Sequence, residues 1–165
     1  DIVTALNESG LRAGSSTDIQ SVEWSKFVGW SGVSALAVLT RLPTSEFMSR
    51  PETALLAGRV MRETAAVARA HGISLQPSGN SAPTIIDADE DDALASLLEG
   101  GQRSLITSRD FRQSILQDAD RGKPLEVDET LGYTLALARQ YDIDVPTLDF
   151  CCRILRVISE TQGAD

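Results

Sequence analysis

The sequence predicts an all-α fold, and three observations carry that reading. Apolar residues return at steps of three and four along most of the chain, the spacing of one helix face. No run of alternating apolar and polar residues is long enough for a strand. Aromatic residues make up only 5% of a chain whose apolar fraction is 42%, which fits a helical core of Ala, Leu and Val. At 165 residues the chain suits one domain, expected to span 1–165, with a sizeable core.

The first long helix is expected after Asp18, a good N-cap. It would run through Ile19, Val22, Trp24, Phe27 and Val28 to Leu39, and Arg41-Leu-Pro43 would end it. A short helix capped by Thr44 comes next. Pro51 opens another, with Leu56, Val60, Thr64 and Val67 on one face, His71 in its last turn and Gly72 as its stop. From Ile73 to Pro83 the pattern dissolves into Gly, Pro, Ser and Asn, a surface connection. The acidic stretch Asp87 to Asp92 suits the start of the helix ALASLLE and lacks the spacing of a calcium loop.

Thr107 or Ser108 is expected to cap a helix carrying Phe111, Ile115 and Leu116 and ending at Gly122. Pro124 suits the first turn of the next, which would place Glu126 near its third position, with Val127, Leu131, Leu135 and Ala138 as its stripe. The last helix starts at Pro146 and shows Leu148, Cys151, Leu155 and Ile158. The expectation is roughly six or seven helices.

Charge and composition exclude several classes. A formal charge of −9 with no cluster of Lys and Arg argues against nucleic acid as a partner. The longest apolar run, VGWSGVSALAVL, is too short to span a bilayer and reads as a buried helix. Cys151 and Cys152 are adjacent and far from His71, so neither a zinc set nor a disulfide framework is expected; they read as core residues in a cytoplasmic protein. No metal site is expected. His71 reads as a helix-end residue, Trp24 as core packing, and Glu63 as a surface partner of Arg59 or Arg62. The chain opens with Asp1 in what looks like ordinary sequence, so it is expected to be a piece of something longer.

Three polar positions invite a chemical reading. Lys26 lies among Trp24, Phe27 and Val28, where a lysine either snorkels outward or faces a pocket and serves as a proton donor. Trp30 and Ser34 come after it at steps of four and share its helix face. Ser114 and Glu126 stand twelve positions apart across an Arg-Gly-Lys-Pro break. They are either ordinary helix-end residues or two walls of one pocket.

The stretches STDIQSVEWSKF, RPETALLAGRVMRETAAVARAHGISL and SILQDADRGKPLEVDETLGYTLALARQYDIDVPTLDF closely resemble the C-terminal helical domain of the ketopantoate reductase (2-dehydropantoate 2-reductase) family, a fold like that of the 6-phosphogluconate dehydrogenase-like proteins. Most specific is the order serine, Gln-Asp pair, Gly-Lys step and glutamate. The resemblance implies an N-terminal Rossmann domain, absent from this chain, and a substrate cleft between the two domains. It implies NADPH in the full-length parent and a small 2-oxo acid, ketopantoate or a relative, as substrate. Lys26 would protonate the growing alkoxide, and Ser114 and Glu126 would contact the substrate or help to hold the cofactor side of the cleft, Glu126 accepting from a substrate hydroxyl or holding Lys26 in place.

Where the family usually has asparagines four and eight positions after the lysine, this chain has Trp30 and Ser34, which would line the substrate site and alter its preference. No Gly-x-Gly-x-x-Gly occurs, so no cofactor-binding residue is assigned here and the isolated chain is expected to be inactive. The competing expectation is a non-catalytic helical module that serves interaction or homodimerisation.

Overall fold

The computed structural model describes residues 1–77 and 82–162. Among these the chain forms nine α-helices and one π-helical turn, with no strand. The six or seven helices expected each have a counterpart, two of them with a shifted start. Residues 78–81 of the predicted connection lie outside the described residues.

Two short helices escaped the periodicity. The first, α1 (Ile2–Glu8), buries no side chain and is held by local bonds, with the Asp1 carboxylate accepting from the Thr4 backbone N–H at 2.8 Å. The other, α5 (Pro83–Ile86), is a single turn that places Ile85 and Ile86 in the core.

The centre of the molecule is α2 (Ile19–Thr40), capped as expected by Asp18, whose carboxylate accepts from the backbone and hydroxyl of Ser21. Hydrogen bonding to Ser21 also holds the Asp18 carboxyl below its usual value. From Val28 to Val38 every residue but Trp30 is buried, as in a helix enclosed on all sides. Its first turns differ, with Ile19 and Val22 exposed and Trp24, Phe27 and Trp30 half-buried. The helix ends at Arg41, a non-glycine residue with φ of 59°.

Against α2 lies α4 (Pro51–Ala70), opened by Pro51 at its first turn. Gly32 sets their approach, because a Cβ there would stand 2.3 Å from the Ala57 carbonyl oxygen. Beside it, Ser31 and Thr64 share a buried hydroxyl bond of 3.0 Å. The buried face of α4 runs through Ala57, Val60, Met61, Thr64 and Ala68, while the predicted Leu56 lies exposed at its margin. Gly72, with φ of 85°, closes the helix.

The helix α3 (Thr44–Met48) begins one residue earlier than a Thr44 cap requires. Pro43 is the cap, the Thr44 backbone donates to the Phe111 carbonyl, and its hydroxyl accepts from Gln113 at 3.2 Å. The acidic stretch starts α6 (Glu90–Thr107), with Asp89 as cap and Glu90, Asp91 and Asp92 in the first turn. This helix continues through Gly100 and Gly101, and Gly101 packs directly on the backbone of Met48.

Thr107 is therefore the last residue of α6 and caps no helix. The next one, α7 (Ser114–Asp120), starts seven residues later than Thr107, and Phe111 lies exposed in the link. Pro124 opens no helix either. Residues 123–126 run without helix, held where the Leu125 backbone donates to Ser159 Oγ at 2.8 Å. A π-helical turn (Asp128–Gly132) then leads into α8 (Tyr133–Gln140). Val127, Leu131, Leu135 and Ala138 are buried as expected.

The last helix, α9 (Pro146–Gln162), buries Leu148, Cys151, Cys152 and Leu155. Its first turn is capped by Glu63, which accepts from the backbone N–H groups of Thr147 (3.1 Å) and Leu148 (2.7 Å). The expected surface pairing of Glu63 is thus replaced by a capping role, and Arg59 pairs with Glu90 instead. No helix among the described residues is long and apolar enough to cross a membrane.

Candidate functional site

A cleft of about 180 Å3 opens where α2, α7 and the stretch after α7 meet. Trp30 forms the α2 side. Ser114, Ile115 and Asp118 come from α7, and Lys123, Pro124, Leu125 and Glu126 complete the rim. The chain break that separates Ser114 from Glu126 in sequence folds back and sets them on one cavity. Two buried anchors fix this geometry: Leu116, fully enclosed beneath α7, and Leu125, held by Ser159.

Ser114 and Asp118 stand one turn apart on the same face of α7. Asp118 Oδ1 lies 3.2 Å from Lys123 Nζ, and the Lys123 backbone N–H donates to the Asp118 carbonyl at 3.0 Å. Gly122, with φ of 67°, makes the reversal between them. Among the described residues the Ser114 hydroxyl and the Glu126 carboxylate have no hydrogen-bond or ion-pair partner, so both are free to meet a ligand.

Trp30 is braced from behind. Its ring stacks on Phe27 with centroids 5.6 Å apart and planes at 25°, and Phe27 meets Trp24 edge to face at 5.6 Å. Trp24 itself is half-buried and lines an apolar groove of about 270 Å3 with Phe27 and Tyr133, so it is only partly the core residue expected.

The other two α2 positions fall outside the lining. Lys26 sits one turn before Trp30, exposed and without an ion pair among the described residues. Ser34, one turn after Trp30, is 1% exposed and its hydroxyl has no partner among the described residues. The reason lies in α2: beyond Trp30 the helix is enclosed on every side, so its site-facing stripe stops there.

Residues outside the cleft have other employment. His71 Nδ1 is 2.8 Å from the Tyr141 hydroxyl at the end of α4. Burial pushes the Cys151 thiol up to about 11, with Glu63 adding to the effect, and raises Cys152 as well, so both stay protonated and unreactive at neutral pH. A larger cavity, about 670 Å3, opens beside α3, α5 and α6 around Thr44, Met48, Leu97 and Ser104. It gathers none of the predicted site residues.

A family model described as "Ketopantoate reductase PanE/ApbA C terminal" matches residues 18–159. The chain belongs to this family. A 2-dehydropantoate 2-reductase of Mesorhizobium japonicum is 26% identical over 165 residues, which cover 98% of this chain and 45% of that protein.

Solved structures show the same fold. A dimeric ketopantoate reductase from Staphylococcus aureus superposes with a TM-score of 0.71 at 22% identity, over 93% of this chain and 48% of that one. A D-mandelate dehydrogenase in complex with NADH gives 0.74 at 18% identity, over 98% and 49%. The chain therefore spans about half the length of these three relatives.

Within this ketopantoate reductase domain, sequence reasoning assigned no role to two cleft residues, Asp118 and Lys123. A signal was present, because both belong to the ordered serine, Gln-Asp, Gly-Lys and glutamate pattern. What the pattern lacked was the turn at Gly122 that returns Lys123 to Asp118.

Proposed function

We propose that this domain supplies the substrate side of a 2-oxo acid reductase that uses NADPH, with ketopantoate or a close relative as substrate. The observation that carries the reading is the convergence of Trp30 from α2 with Ser114 and Glu126 from the distant stretch 114–126 on one cleft. Drug-sized ligands occupy pockets of roughly 300–1,000 Å3. A cleft of about 180 Å3 suits a small organic acid and is far too small for a dinucleotide.

The given sequence has no glycine-rich phosphate turn, and the cleft has no room for a dinucleotide, so this reading places the cofactor elsewhere. The cofactor would be held by a Rossmann domain outside this chain, in the half of the relatives that the chain does not span. What this chain contributes is binding and a proton. Ser114 donates to the acid, and Glu126 accepts from a substrate hydroxyl. Lys26, exposed one turn before Trp30, would swing toward the cleft, stabilise the oxygen on which charge grows, and protonate it.

The test is NADPH oxidation by the full-length protein, offered ketopantoate beside other branched 2-oxo acids. Turnover is expected with at least one of them. No turnover with any 2-oxo acid would reject the reading in favour of a non-catalytic interaction module.

A further inference from the structure

We propose that Lys123 is the residue that receives the carboxylate of the cleft's anionic ligand, leaving Asp118 to do so. This rests on the reading of the cleft as a 2-oxo acid site and adds the group that binds the acid's charged end there.

Charge decides the matter. The described lining carries two carboxylates, Asp118 and Glu126, against one cation, Lys123. A 2-oxo acid brings a further negative charge into a lining that is already net negative. Ser114 can donate one hydrogen bond but cannot offset a charge. Glu126 repels the acid end. Lys123 is therefore the one lining group whose charge complements a carboxylate.

Its present partner does not lock it in place. The Lys123 and Asp118 side chains are 57% and 40% exposed, and such pairs are weak and exchange readily. Asp118 stands one turn from Ser114 on the same face of α7, so an ammonium moving off Asp118 toward Ser114 stays within the cleft. The carboxylate would then lie between Lys123 and Ser114. The oxo group is left toward α2, where Trp30 forms the wall and Lys26 sits one turn away.

Steady-state kinetics of the full-length protein with ketopantoate tests this, using Lys123→Ala, Lys123→Arg and Asp118→Asn. Lys123→Ala is expected to raise KM for the acid about tenfold or more while kcat and KM for NADPH stay within about twofold. Lys123→Arg should restore most of the affinity. Asp118→Asn, which frees the ammonium, should leave KM for the acid unchanged or lower it. Added salt should raise the wild-type KM and leave that of Lys123→Ala nearly flat.

An unchanged KM in Lys123→Ala would overturn the proposal. So would a rise in Asp118→Asn equal to that in Lys123→Ala, since Lys123 would then act only by pinning the loop. If the wild-type protein neither turns over nor binds any 2-oxo acid in isothermal titration, the functional reading itself falls, and this inference with it.

Discussion

Ser34 shows how one residue can share a helix face with a site and still take no part in it. Its hydroxyl is buried without a partner among the described residues, a position that costs about 1–3 kcal/mol relative to a satisfied group. Ser34→Ala is accordingly expected to stabilise the fold by about 1 kcal/mol, read as an upward shift of the thermal midpoint. At this scale the sequence was legible where chemistry is local: Asp18 capping α2, Gly72 closing α4, and the core cysteines all follow from their immediate neighbours. It was illegible for Glu63. The group it caps, the Leu148 N–H, lies 85 positions away, and no local pattern connects them. Lys26 held two readings, snorkelling or facing a pocket; the structure leaves it exposed beside the cleft, not within it.

At the scale of elements, the packing of α2 on α4 rests on the missing side chain at Gly32. A methyl group there would stand 2.3 Å from backbone at Ala57 and 2.9 Å from Met61 Cγ, so α4 would have to shift. Gly32→Ala is expected to destabilise the domain by about 1–3 kcal/mol despite the better helix propensity of alanine, as a lower urea midpoint. Periodicity found every helix with a buried stripe and missed α1, which has none, and α5, which is too short to show one. It also misplaced the start of α7 and read Pro124 as a helix opener. Both errors have one physical origin: tertiary bonds, from Thr44 to Phe111 and from Leu125 to Ser159, hold these links in non-helical paths that their own residues do not specify.

For the molecule as a whole, exposed ion pairs join helices distant in sequence, and they set its response to acid. Asp120 accepts from Arg112 at 2.6 Å and Arg41 at 3.2 Å, tying the end of α2 to α7, and these bonds lower its pKa below the usual 3.8. Glu90, bonded to Arg59 across α4 and α6, is likewise held below 4.5. A carboxyl whose folded-state pKa is depressed stabilises the fold above its unfolded value, and that contribution is lost as pH falls through the folded value. Stability should therefore be steady at neutral pH and decline below about pH 4. Asp120→Asn should show a shallower decline than wild type when urea midpoints are compared across about pH 5 to 3.

The cleft was legible in outline because its serine, aspartate, lysine and glutamate fall within one short stretch of chain. That stretch does not specify how Trp30, far upstream, comes to face them. What we propose is that Lys26, beside this cleft, protonates a 2-oxo acid as a nicotinamide cofactor held outside this chain delivers the hydride. Its most direct test is the turnover of Lys26→Ala in the full-length protein. A fall in kcat of about 100-fold or more is expected, the usual worth of a general acid, with KM for the acid changed only a few-fold. An unaltered kcat in a folded variant would contradict it.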